Sequence, residues 1–192
     1  MSNCAILDFS KTIAAVDERS VFERIYQTTG LGIELLKEML VNPALMKENQ
    51  EHLDACKSII ADEIERAEPI PGVKEAMEAM ILRGYSIVIS SNGLQEAIKK
   101  WLEKNDLDKY VYLVYGLEDG NKNRHLESLV RIEEPYDWLF IGNSPKDFLQ
   151  IAGWCFRKVA VNANPEESYP KDVRVFYEPL SAKLVERIAI GG

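Results

Sequence analysis

Cys4-Ala5-Ile6-Leu7-Asp8-Phe9-Ser10-Lys11-Thr12 is the stretch on which the fold turns. Four consecutive apolar residues end at an aspartate and a polar turn. A run that is apolar on successive positions, not alternate ones, suits a strand covered on both faces, as in a parallel sheet. Outward from it, similar runs recur at Ser86-Ile87-Val88-Ile89, Val111-Tyr112-Leu113-Val114, Trp138-Leu139-Phe140-Ile141 and Val159-Ala160-Val161. A weaker one is Val173-Arg174-Val175-Phe176. Helical stripes lie between them. Val73, Ala76, Met77 and Met80 repeat at i, i+3, i+4 and i+7, with Pro71-Gly72 ahead and Gly84 behind as start and stop signals. Leu94, Ala97, Ile98 and Trp101 form a second stripe; Leu126, Leu129 and Val130 a third; Leu184, Val185 and Ile188 a last one. Strand alternating with helix predicts an α/β fold, a doubly wound parallel sheet of Rossmann-like type.

One segment breaks the rhythm. Residues 14–69 hold no convincing strand. Val21, Phe22, Ile25 and Tyr26 read as one helix, Ile33, Leu36 and Leu40 as another, and Leu53, Cys56, Ile60 and Ile64 as a longer one. A small helical cap is therefore expected over 14–69, inserted into an α/β core made of 1–13 and 70–192. A chain of 192 residues has room for one domain with such an insertion.

Composition narrows the function. Lys and Arg number 23 against 31 Asp and Glu, a formal net charge of −8. An acidic chain without a basic block is a poor binder of nucleic acid or of anionic membranes, both of which reward phosphate neutralisation. No apolar run approaches the ~18 residues of a spanning helix. The opening MSNCAILDF has no positively charged segment before an apolar stretch, so no secretory signal and a cytoplasmic location are expected. Cys4, Cys56 and Cys155 are widely spaced, without CxxC or a Cys/His pattern, and read as buried thiols. Nothing here specifies an oligomeric state.

Ligands of open α/β sheets bind beyond the carboxyl ends of the strands. The residues there are Asp8 to Thr12, Ser90-Ser91-Asn92-Gly93, and Gly142-Asn143-Ser144-Pro145-Lys146-Asp147. Lys122 lies nearby in the loop Gly120-Asn121-Lys122-Asn123. Carboxylates, hydroxyls, an amide and an ammonium on one edge suit a phosphate and a divalent metal. Plainer readings stand beside this one. A strand-end Asp caps turns, and Ser-Ser-Asn-Gly makes a turn by itself. Lys122 reads equally as a solvated lysine, like Lys100, Lys104, Lys109 and Lys146. Ser144-Pro145-Lys146-Asp147 is a capping-box variant, with Pro at the first helical position and an acid at the third. His52, beside Leu53 and Cys56, reads as a partly buried helix histidine, and His125 opens a helix next to Lys122.

In these stretches the chain resembles the haloacid dehalogenase-like hydrolase superfamily, whose four motifs occur in order. Asp8-Phe9-Ser10-Lys11-Thr12 is similar to DxDxT, Ser91 to the second-motif hydroxyl, Lys122 to the third-motif lysine, and Gly142 to Asp147 to GDSxxD. The insertion and Pro69–Gly72 resemble the phosphoserine phosphatase-like branch. The resemblance implies that Asp8 is a nucleophile forming an aspartyl-phosphate on a small phosphorylated substrate. It implies that Ser91, with the amides of Asn92 and Gly93, binds phosphoryl oxygens, and that Lys122 neutralises the nucleophile and the transferring group. It further implies Mg²⁺ held by Asp8, the Ser10 carbonyl, Asn143 and Asp147.

Two positions depart from the pattern. Ser10 stands where phosphatases of the superfamily usually carry an Asp that protonates the leaving oxygen and then activates water. A positioned acid/base group typically contributes ~10²–10⁴ in rate. Asn143 stands where the fourth motif usually begins with Asp, which leaves Asp8 and Asp147 as carboxylates. Three expectations follow: a Mg²⁺-dependent phosphatase, with reduced activity or a good leaving group; a catalytically silent protein that binds a phospho-ligand or a partner; and a metal-independent dehalogenase-type hydrolase.

Overall fold

The computed structural model describes residues 2–32, 45 and 49–190. In chain order its elements are β1 (Ser2–Leu7), α1 (Glu18–Thr29), α2 (Gln50–Arg66), α3 (Val73–Leu82), β2 (Tyr85–Ser90), α4 (Gln95–Lys104), β3 (Val111–Tyr115), α5 (Lys122–Leu129), β4 (Pro135–Gly142), α6 (Pro145–Gln150), β5 (Arg157–Ala160), β6 (Val173–Val175) and α7 (Ala182–Ile190). The strands form one sheet in the order β3-β2-β1-β4-β5-β6, every pair parallel.

β1 lies inside the sheet, and its run Cys4 to Leu7 is apolar throughout. Cys4 and Ile6 point to one face, where Leu126 and Leu129 of α5 and Phe148 of α6 cover them. Ala5 and Leu7 point to the other, against Met77 and Met80 of α3, Ile98 and Trp101 of α4, and Leu184 and Ile188 of α7. The alternation is that of a pleated strand, and both faces are apolar because both are roofed by helices. Leu7 lies opposite both Ile89 and Ile141, so the ends of the three middle strands are level. From β1 the chain moves outward through β2 and β3, then returns to β4 on the other side of β1. That reversal opens the crevice in which ligands of such sheets bind.

Between β1 and α3 the chain leaves the sheet. It departs and returns side by side: the Ala15 N–H donates to Glu68 O at 2.8 Å and the Ile70 N–H to Ile13 O at 2.9 Å. Val21 and Ile25 of α1 pack on Leu53, Cys56 and Ile59 of α2 as a small separate core. Arg24 ties the two helices through Asp62 and Glu63. The far end of α2 is seated on the main body, with Ile64 in the larger core and the Trp101 indole N–H donating to Ala67 O at 2.7 Å. The helix expected at Ile33, Leu36 and Leu40 lies outside the described residues.

Several expectations need correction. The fifth strand begins two residues earlier than its apolar run, at Arg157, and ends at Ala160. Charge hid it: Lys158 is buried with its ammonium on Asp172 at 2.6 Å, and Arg157 is spent on Asp137. The sixth strand ends at Val175, with Phe176 buried just beyond it. His52 is exposed, because the buried stripe of α2 runs through Leu53, Cys56, Ile59 and Ile64. Cys4 and Cys56 are buried, but Cys155 is exposed. Among the described residues no helix is long and apolar enough to cross a membrane.

Candidate active site

Asp8 is the first residue past β1, and its N–H donates to Ile141 O at 2.8 Å, which prolongs the pairing with β4 by one step. The chain then folds sharply. The N–H groups of Ile13 and Ala14 both reach Phe9 O, and that of Lys11 reaches Ala14 O at 2.7 Å. Lys11 takes a left-handed conformation, φ +57°. Phe9 anchors the turn, packed edge-on against Trp101 with ring centroids 5.0 Å apart. Ser10 bridges to Ala14 and is half-buried. Thr12 is buried, and its hydroxyl donates to Asp8 Oδ2 at 3.3 Å.

Lys122 is the centre of the site. It opens α5, whose N-cap Asn121 accepts the Arg124 N–H at 3.1 Å. The side chain is 0% exposed. Its ammonium donates to Asp8 Oδ1 and to Ser90 O at 2.9 Å, and lies 3.4 Å from Asp147 Oδ1. The solvated-lysine alternative does not describe this residue. Lys100, Lys104, Lys109 and Lys146 are all exposed. Asp147 also fulfils its plainer expectation, since Oδ2 accepts the Ser144 N–H at 3.2 Å while the Ser144 hydroxyl accepts from the first turn of α6. One carboxylate thus caps α6 and faces Lys122.

On the β2 side, Ser91 is buried, and its Oγ accepts the Gly93 N–H at 3.0 Å. That amide was expected to bind a ligand oxygen and is committed to the turn instead. The Ser91 hydroxyl proton remains free to donate. Asn92 is exposed. Asn143, half-buried past β4, has its backbone carbonyl held by the Tyr169 hydroxyl at 2.6 Å.

Two residues beyond the expected site set, Ser90 and His125, also take part. Ser90 ends β2, fully buried, with its carbonyl on Lys122 and its hydroxyl 2.9 Å from His125 Nδ1. His125 Nε2 lies 3.0 Å from Gly116 O, which can only accept, so the proton sits on Nε2. Burial pushes the imidazole below its usual range, so Nδ1 accepts from Ser90. The ring also stacks on Tyr115, centroids 5.4 Å apart. Gly116 has no alternative, because a Cβ there would sit 2.5 Å from the Gln95 backbone nitrogen. The sequence signal for His125 was its place one turn after Lys122. Ser90 gave none, being the last residue of a buried strand.

Burial lifts Asp8 from the usual carboxylate range to about 7, Lys122 opposing and Asp147 and Glu18 adding to the rise. Burial works against the Lys122 charge too, but the two carboxylates outweigh it and hold that ammonium above its ordinary value. Among the described residues no three His, Cys, Asp or Glu side chains converge on one point.

Residues 5–150 match the family described as haloacid dehalogenase-like hydrolase. Over 95 residues the chain is 30% identical to the inferred pyrophosphatase PpaX of Caldanaerobacter subterraneus, a match covering 46% of this chain and 43% of that one. The chain thus matches less than half the length of that relative. The whole fold is similar to the haloacid dehalogenase-like family protein SP0104 of Streptococcus pneumoniae, with a TM-score of 0.69 and 14% identity, over 100% of this chain and 99% of the other. It is also similar to a phosphoserine phosphatase in its apo form, with a TM-score of 0.61 and 18% identity over 97% and 98% of the two chains. At such identities the structural likenesses speak for the fold alone.

Proposed function

The chain belongs to the haloacid dehalogenase-like hydrolases, and on that premise we propose that it is a phosphohydrolase forming an aspartyl-phosphate on Asp8 from a small phosphorylated substrate. The observation that carries this reading is the buried Lys122 ammonium held between Asp8 and Asp147 at the level edge of the sheet. A lysine is hidden from water at such cost only where carboxylates share its charge, and here one of them stands at the strand end where a ligand binds.

Asp8 is the attacking group and must be ionised. Lys122 favours that form and would neutralise charge as the phosphoryl group transfers. The Ser91 hydroxyl supplies a hydrogen bond to a phosphoryl oxygen. Thr12 fixes the rotamer of Asp8 through Oδ2. The helical insertion, residues 14–69, serves as a cap over the edge that carries Asp8. Ile64 of that insertion supports the reading, because a Cβ on Gly93 would lie 3.1 Å from its Cδ1. A lid of this kind excludes water during transfer.

The residues fit Mg²⁺. Asp8 and Asp147 both contact the Lys122 ammonium and so are near neighbours, and Mg²⁺ is commonly held by one or two carboxylates with other oxygens completing the shell. Asp8, Asp147, the Asn143 amide oxygen and the Ser10 carbonyl would hold it. Bound there, the ion would offset the negative charge of the phosphoryl oxygens.

A second reading, a silent protein that binds a phospho-ligand, is favoured by Ser10 and Asn143. Hydrolysis of an activated aryl phosphate, with and without Mg²⁺, on wild type and Asp8→Asn separates the two. Mg²⁺-dependent turnover lost in the variant supports the phosphohydrolase. Phosphate binding without turnover supports the silent protein, and metal-free turnover of a 2-haloacid would replace both with a dehalogenase.

A further inference from the structure

Lys122 meets one oxygen of each active-site carboxylate, Oδ1 of Asp8 and Oδ1 of Asp147. The other oxygen of each is met by a turn. The Thr12 hydroxyl donates to Asp8 Oδ2 at 3.3 Å, and the Ser144 N–H donates to Asp147 Oδ2 at 3.2 Å. The Lys11 carbonyl shares a peptide plane with the Thr12 nitrogen, and the Asn143 carbonyl shares one with the Ser144 nitrogen. A peptide unit is planar, so fixing its carbonyl also fixes its N–H and the Cα that follows. Both carbonyls are fixed from one place, the loop between β5 and β6. Asn162 Nδ2 donates to Lys11 O at 3.1 Å, and the Tyr169 hydroxyl donates to Asn143 O at 2.6 Å.

The loop itself is well anchored. Just past β5 the Val161 N–H donates to Gly142 O at 2.9 Å and the Asn162 N–H to Glu178 O at 2.8 Å. The Tyr169 hydroxyl accepts the Asn164 N–H at 3.3 Å, which leaves its own proton for Asn143 O. The Tyr169 ring packs edge-on against Phe148 of α6, with centroids 6.1 Å apart. The contact at Lys11 joins two strained residues. Among the described residues only Lys11, Asp106 and Asn162 have a positive φ without being glycine, and Lys11 at +57° and Asn162 at +48° are hydrogen-bonded to each other. Such conformations persist where surrounding contacts enforce them, and they gather at functional sites.

Resting on the phosphohydrolase reading, we propose that Asn162 and Tyr169 are positioning residues: the β5–β6 loop braces both site turns and so sets the Oδ2 side of Asp8 and of Asp147. Asn162 acts through the Lys11–Thr12 peptide and the Thr12 hydroxyl. Tyr169 acts through the Asn143–Ser144 peptide and the Ser144 N–H. The brace matters because Ser10 and Asn143 bring no charge, so the chemistry falls on two carboxylates whose placement must be right.

The test uses Tyr169→Phe, which keeps the ring on Phe148 and deletes the hydroxyl, and Asn162→Gly, which allows the left-handed backbone and deletes the amide. Hydrolysis of an activated aryl phosphate with MgCl₂ is measured where circular dichroism shows each variant folded. In each, kcat should fall by ~3-fold to ~10²-fold, from the loss of one hydrogen bond to a misplaced attacking group, while KM stays within about twofold. Amide exchange is followed by mass spectrometry on the metal-free protein. It should quicken ~3–10-fold over 8–14 in Asn162→Gly and over 142–147 in Tyr169→Phe, and stay unchanged across β3. Wild-type kcat in either variant would overturn the proposal. So would a higher KM at unchanged kcat, which would make these residues contacts of the substrate. Exchange that quickens equally through the whole sheet would also overturn it, as a loss of stability alone. If the wild type hydrolyses no phosphate ester and carries no phosphate on Asp8, the phosphohydrolase reading fails. Exchange then decides the brace by itself: quickening confined to the two turns keeps it, and any other pattern removes it.

Discussion

Replacing Lys122 by methionine keeps the length of the side chain and deletes the charge between Asp8 and Asp147. Lys122 is fully buried, so water cannot take its place easily, and breaking such a pair from one side costs about 3–5 kcal/mol. For a chain of this size that corresponds to a fall in Tm of roughly 6–20 °C. The loss should depend on pH. In the wild type Asp8 ionises near 7 in the folded state against 3.8 for the free side chain. The folded protein therefore holds that proton more tightly than the unfolded one. Stability from it is complete below about 4 and declines by about 1.4 kcal/mol per pH unit until it levels off above about 7. Lys122, held above its ordinary value, contributes stability that is constant over this window and is lost only in strong alkali. Without Lys122 the Asp8 carboxyl rises further, because the main influence opposing burial is gone. The decline then continues through pH 8. Urea unfolding of wild type and Lys122→Met at pH 5, 6, 7 and 8 measures the difference. The deficit of the variant should widen by about 1–2 kcal/mol from pH 5 to pH 8. Parallel curves would mean that Lys122 does not carry the charge of Asp8, and the electrostatic account of the site would be wrong.

Four further outcomes follow from the same geometry. Asp8→Asn should abolish phosphohydrolase activity and lower the Tm, though by less than Lys122→Met, because the buried ammonium keeps Asp147 and Ser90 O; an unchanged Tm would contradict this. Gly93→Ala brings a Cβ to 3.1 Å from Ile64 Cδ1 and 3.3 Å from Ser91 Oγ, which should cost about 1–3 kcal/mol in chemical denaturation and raise KM for any phosphorylated substrate. His125→Ala leaves the Ser90 hydroxyl and the Gly116 carbonyl unpaired in a buried site; a loss of about 1–3 kcal/mol in urea unfolding is expected, and an unchanged midpoint would contradict this. Asn143→Asp adds a third carboxylate, so Mg²⁺ titrated by calorimetry should bind more tightly than to the wild type, and weaker binding would remove Asn143 from the proposed ligands.

Much of the scaffold is legible because its signal is local. Ala5, Ile6 and Leu7 are apolar in succession since helices cover both faces of β1, and successive apolar residues are visible in any sequence. Arg157 and Lys158 show the limit. They lie in a strand, but each has its charge met by a partner distant in sequence, Asp137 and Asp172, and no local pattern announces such a partner. His52 fails for a related reason. On α2 the neighbours Leu53 and Cys56 are buried, but a step of one residue turns the side chain by about 100°, which is enough to move a histidine from core to solvent.

The site divides along the same line. Asp8 and Ser91 lie just past strand ends and Asp147 in the first turn of the helix that follows β4, and both kinds of place could be read. Lys122 could be placed only by resemblance, because a lysine in a Gly/Asn loop is the usual picture of a solvated cation. What distinguishes it is the company of Asp8 just past β1, Ser90 at the end of β2 and Asp147 in α6. That company also accounts for how the chain tolerates its two lost carboxylates. With Asp at positions 10 and 143, one buried ammonium would face a surplus of negative charge that only a bound cation could balance. With Ser and Asn there, Lys122 faces only Asp8 and Asp147, and burial already lifts Asp8 to about 7. Fewer carboxylates around one buried ammonium therefore ease the folding of this edge.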